Sequence, residues 1–71
     1  MPDVMSGVVK WYNKQQGFGF ISPDAGGPDV FVQSSNINPM YQFRGLEENQ
    51  KVTFTMQQSA KGFIAKNVDL L

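Results

Sequence analysis

The chain has no cysteine and no histidine. That double absence removes disulfides, thiol nucleophiles, imidazole bases and the ordinary zinc ligand sets. A domain of 71 residues is then left with a thin hydrophobic core as its main source of stability. Net charge is missing as well, because six basic residues are balanced by six acidic ones. Binders of duplex DNA are usually strongly basic, so a bulk electrostatic grip on a duplex is not expected. No run is long and apolar enough to span a membrane, and residues 1–6 lack the basic-then-apolar pattern of a signal peptide. The lack of cysteine fits a reducing compartment. The expectation is one cytoplasmic domain over residues 1–71, with no membrane partner, metal or cofactor.

Helical periodicity is also absent, and turn residues instead cut the chain into short segments of strand-like composition. Gly7 to Asn13 is β-branched and aromatic and ends in the polar turn Asn13-Lys14-Gln15-Gln16. Phe18-Gly19-Phe20-Ile21 follows, closed by a turn rich in proline and glycine from Ser22 to Pro28. Val30 to Gln33, the alternating run Lys51 to Met56, and Phe63 to Leu70 complete five candidate strands. A helical turn is expected only at Ser35-Asn36-Ile37, with Pro39 stopping it. The long connection from Gln33 to Gln50 carries Tyr41, Phe43 and Arg44, and loops of that length are usually functional or mobile. The fold class expected is all-β, a five-stranded antiparallel barrel of the OB type.

Aromatic residues are abundant, at 13% of the chain, and their phase matters more than their number. A strand alternates its faces, so Phe18 and Phe20 share one side of their strand while Gly19 and Ile21 share the other. Phe31 and Gln33 likewise oppose Val30 and Val32. If the phenylalanines pointed inward, Ile21, Val30 and Val32 would face water and Gln33 would enter the core. The alternation therefore favours rings outside, although buried phenylalanine is the commoner fate. Trp11, beside Lys10 and in line with Phe18 and Phe20, is expected outside too. Strict alternation sends Tyr12 the other way, with its ring edge accessible if the strand is bulged. Val52, Phe54 and Met56 are expected to fill the interior. A solvent-facing cluster of rings marks a binding surface.

Gly17-Phe18-Gly19-Phe20-Ile21 followed by Val30-Phe31-Val32 has the order of two ribonucleoprotein-type motifs. With Lys10-Trp11-Tyr12-Asn13 upstream and Lys61-Gly62 and Asn67-Val68 downstream, the chain resembles bacterial cold-shock proteins from about Met5 to Val68. The resemblance implies sequence-tolerant binding of single-stranded RNA and DNA, no enzymatic activity, and a role in melting RNA secondary structure, often in the cold. By matched position it implies stacking by Trp11, Tyr12, Phe18, Phe20 and Phe31, a loop aromatic at Phe43, with Tyr41 as the alternative, and phosphate contacts from Lys10 and Lys61. Gln33 lies on the same binding face. Four positions depart from the family pattern. Gln16 replaces a usual lysine, Gln33 a histidine, Ser34 a common aromatic and Phe63 a proline; the Phe63 ring would either restore a platform at the start of its strand or fill the barrel end, the second being favoured. The long loop is also one residue longer than in many members.

Other classes stay open at this point. Asp24, Asp29, Glu47 and Glu48 sit in turns or loops, where carboxylates usually bond local amides or water, so catalysis is not expected of them. Gly17-x-Gly19 precedes no helix that could hold a phosphate. A protein-interaction barrel docking a peptide on its aromatic face is the main alternative. The chain is expected to be a monomer, with a domain-swapped dimer conceivable through the long loop.

Overall fold

The computed structural model describes residues 4–60 and 62–71. Five strands carry the fold: β1 (Val4–Asn13), β2 (Phe18–Pro23), β3 (Val30–Gln33), β4 (Lys51–Ser59) and β5 (Gly62–Leu70). They close into a barrel in the order β1-β2-β3-β5-β4. β1 pairs antiparallel with both β2 and β4, as do β2 with β3 and β4 with β5. The seam between β3 and β5 that completes the circle is parallel, through Phe31↔Ile64. Parallel neighbours need a long crossover. Here the path runs through the long connection and β4.

The interior is filled by branched aliphatic side chains and one ring. Val9, Ile21, Val30, Val32, Val52, Ala65 and Val68 are fully enclosed, with Phe54, Leu46 and Ile37 nearly so. Met56 is not among them, at 39% exposed. It stands one residue beyond Val4↔Thr55, the last described rung joining β4 to β1, and so sits at the mouth of the barrel.

The long connection is more ordered than its sequence suggests. A 3-10 turn spans Ser34–Asn36, and Ile37 then extends to make a parallel bridge with Val68. Pro39 does not end a helical turn. It begins one, Pro39–Gln42 (α1), with the Asn38 side chain accepting a hydrogen bond from the Met40 amide. A proline suits this first position because its missing N–H has no helical partner to lose and its φ is already set. Leu46, 1% exposed, ties the returning chain to the core.

Candidate functional site

β2 and β3 bury one face and present the other, in the phase their sequences predict. Ile21, Val30 and Val32 point inward, so Phe18, Phe20, Phe31 and Gln33 point outward. Pairing sets Phe20 opposite Phe31 and Phe18 opposite Gln33. Trp11 joins them through an irregularity in β1. The register steps from Val9↔Ile21 to Trp11↔Phe20, which leaves Lys10 as the extra residue of a β-bulge. Lys10 and Trp11 are therefore exposed in succession, and Tyr12 turns back to pack partly against the core.

The four rings make a closed circuit. Trp11 meets Phe18 edge-on at 5.4 Å between centroids and lies over Phe20 at 6.5 Å. Phe31 completes it, at 5.9 Å from Phe18 and 5.7 Å from Phe20. Trp11 and Phe20 remain 41% and 37% exposed, while Phe18 and Phe31 are half-buried by their neighbours. Gly19 lets β1 and β2 approach this closely. A Cβ there would strike the Trp11 carbonyl oxygen and lie 2.7 Å from the Tyr12 Cα. Gly17, at φ +74°, closes the preceding turn in a left-handed conformation that side chains disfavour. That turn is held by Asn13, whose Oδ1 accepts from the amides of Gln15 and Gln16.

Two concavities flank the circuit. On one side, a groove of about 570 Å³ runs between Phe20 and Phe31 and the β4–β5 hairpin, bordered by Gln33, Phe63 and Ile64. Phe63 therefore does more than fill the end of the barrel. It packs against the core and also walls this groove. On the other side, a polar pocket of about 280 Å³ lies between the β1–β2 turn and the long connection. Tyr12, Lys14, Ser34, Phe43 and Arg44 line it. Phe43 is fully exposed at the crest of the connection. Burial raises the Tyr12 phenol above its ordinary pKa, so it stays a neutral hydroxyl.

The charges are arranged against one another. Lys10 donates to Asp29 at 3.0 Å, Lys14 to Glu47 at 2.7 Å, and Lys51 lies 3.9 Å from Asp24. The hydrogen bond from Lys14 holds the Glu47 carboxyl below its usual range, aided by the charges of Lys14 and Arg44. These carboxylates thus face cations distant in sequence, on β1, β4 and the β1–β2 turn, rather than local amides, because barrel closure brings the turns beside them. Asp24 also accepts from the Ser6 hydroxyl. Among the described residues, Arg44 and Lys66 have no carboxylate partner. Lys61 lies outside the described residues.

Trp11, Phe18, Phe20, Phe31 and Gln33 thus converge on one face, with Lys10 at its margin. Tyr12 and Phe43 border the adjoining pocket instead. The pocket roles of Ser34 and Arg44 escaped the sequence reading, and at Phe63 the less favoured of its two alternatives, a surface role, accompanies the packing one. The only signals were the departure from proline at Phe63 and the placing of Arg44 directly after Phe43. Among the described residues no group of acidic side chains is suited to hold a metal ion, and no helix is long and apolar enough to cross a membrane.

Comparison with known proteins agrees with this geometry. A family model described as the 'Cold-shock' DNA-binding domain matches residues 5–71. Cold shock protein ScoF of Streptomyces coelicolor is 54% identical over 63 residues, which covers 89% of this chain and 92% of the relative. Cold shock-like protein CspG of Escherichia coli K12 is 50% identical over 68 residues, 96% of each chain. Among solved structures, drosophila Unr CSD456 superimposes with a TM-score of 0.79 over 99% of this chain, at 20% identity. This chain spans 27% of that structure, and the likeness concerns the fold. With a family match across nearly its whole length and relatives identical at half their positions, the chain belongs to the cold-shock domain family, built on a nucleic-acid-binding barrel of the OB type.

Proposed function

We propose that this barrel binds single-stranded RNA and DNA with little regard for sequence, and that it acts as a cytoplasmic RNA chaperone rather than an enzyme. The observation that carries the reading is the circuit of Trp11, Phe18, Phe20 and Phe31 on the outer face. Every base has a π face, and stacking is worth about 1–3 kcal/mol per base by alanine substitution. Four rings supply roughly 4–12 kcal/mol gross, much of it offset by ordering a flexible strand, which leaves a Kd of about micromolar. Adjacent rings lie at 27° to 70° to one another, so a stack of parallel bases does not fit them all. Each base must turn out on its own, which a single strand does at small cost and a duplex does not.

Phe43 and Tyr12 extend the ring surface towards the polar pocket. Lys10 and Lys14 supply phosphate contacts at its edges, and Lys61, by its matched position in the sequence, supplies a third. Three such contacts predict a log–log salt slope of roughly −2. Binding single strands draws RNA structure towards its melted form by mass action, with no nucleotide hydrolysis. One barrel carries the complete ring surface, so a monomer suffices.

Titration of single-stranded oligonucleotides against Trp11 fluorescence tests this reading. Strong quenching by single strands, little by the matched duplex, and a salt slope near −2 are expected. No response at high oligonucleotide concentration would overturn the proposal and favour a peptide on the same aromatic face.

A further inference from the structure

We infer that Arg44 is the leading phosphate contact on the pocket side of the ring surface. The inference rests on the single-strand reading above and ranks the cations that meet the backbone there. Arg44 and Lys14 are the two charged side chains lining the polar pocket, which Tyr12 and Phe43 also border. Gln15 and Gln16, from the β1–β2 turn, bring no charge to it.

The two cations are not equally available. Lys14 donates to Glu47 at 2.7 Å. A phosphate reaches that ammonium either by displacing the carboxylate or by joining it. The first forfeits a contact already made, and the second sets two anions side by side. The Arg44 side chain is exposed and makes no hydrogen bond or ion pair with another described residue. Its charge helps to keep the Glu47 carboxyl ionised, but the two groups lie beyond ion-pair distance. With Glu47 cancelling Lys14, the surplus positive charge at this pocket is that of the guanidinium. Lys10, at the margin of the rings, is likewise answered by Asp29 at 3.0 Å. Lys66, the other described cation without a carboxylate, stands on β5 opposite Thr55 and lines neither the pocket nor the groove.

The group also suits the task. A guanidinium stays charged at any working pH, presents a fork of donors that matches two phosphate oxygens, and is more weakly hydrated than an ammonium. Arg44 directly follows Phe43, the fully exposed ring, and both line the pocket. A strand that stacks on that ring passes beside the guanidinium. The total salt slope stays near roughly −2, because Arg44 adds what pairing withholds from Lys14.

Salt titrations of oligouridine binding, read by Trp11 fluorescence, test the ranking. Arg44→Gln should flatten the log–log slope by about 0.7 and weaken binding about eightfold at about 50 mM salt, with little loss near about 1 M. Arg44→Lys should keep the slope, because charge is what the slope counts. Lys14→Gln should flatten it by less than half as much as Arg44→Gln, since Glu47 already holds that ammonium. In a Glu47→Gln background the Lys14→Gln step should grow to match Arg44→Gln. Thermal melting checks that each variant keeps the barrel. An unchanged slope in Arg44→Gln, or an equal loss in Lys14→Gln, would overturn the ranking and leave single-strand binding standing. A slope flattened in Arg44→Lys as well would make the residue a contact of shape rather than charge, and would overturn it too. If the unaltered protein binds no oligouridine, both readings fall together.

Discussion

The two faces of β2 and β3 share one backbone and divide its side chains in an unexpected way. Inside are Gly19, Ile21, Val30 and Val32; outside are three phenylalanines and a glutamine. The bulkier apolar groups are on the wet side. A narrow barrel is filled to high density by small and branched residues, and the single large ring of Phe54 takes much of what is left. Phe54 and Phe20 are the same residue type in neighbouring parts of one sheet, yet one is 1% and the other 37% exposed. Hydrophobicity alone did not place them. Phase along the strand did.

Substitutions on the inner face should break the fold first. Ile21→Ala leaves a cavity among enclosed neighbours and should cost about 2–5 kcal/mol in urea unfolding, a large share of what so small a domain holds. Gly19→Ala should match or exceed it, because the new Cβ meets backbone atoms of β1 that cannot rotate away. A variant of either kind that melts like the parent would contradict the packing described.

On the outer face the effects should move from stability to affinity. Phe18→Ala and Phe31→Ala are each expected to weaken oligonucleotide binding by about 1–3 kcal/mol with a nearly unchanged melting temperature. Loss of cooperative unfolding in these variants would mean that the rings support the barrel after all.

The smallest effect belongs to the charges at the margin. Asp29→Asn frees Lys10 from its 3.0 Å ion pair and removes a negative charge beside the strand's path. Because exposed pairs are weak, binding at low salt should strengthen by under about 1 kcal/mol, and the gain should vanish as salt rises. An unchanged affinity at low salt would place Lys10 away from the phosphates.

Much of this was legible in the residues. Alternation in Phe18 to Ile21 and Val30 to Gln33 defined both faces, and turn residues marked the strand ends within a few positions. What escaped was non-local. Met56 continues the alternation of Val52 and Phe54, but pattern cannot say where the neighbouring strand stops. Pro39 was legible as punctuation but not as the start of a turn, which depends on Asn38 capping the next amide. The ion pairs of Asp24, Asp29 and Glu47 join residues 19 to 33 positions apart or belong to different turns, and only closure of the barrel brings them together. For Phe63 the sequence favoured filling over a platform role, because the groove it lines is made jointly by β3 and the far hairpin.

The bulge at Lys10 acts as a change of parity. Counting by twos from the enclosed Val9 would send the indole inward and the phenol of Tyr12 to the outside. One surplus residue reverses that assignment for the rest of the strand, so the indole completes the circuit and the phenol seals its edge. A lysine and the largest ring of the chain thereby become consecutive exposed residues on one surface. A strand of perfect regularity could not offer that pairing from neighbouring residues.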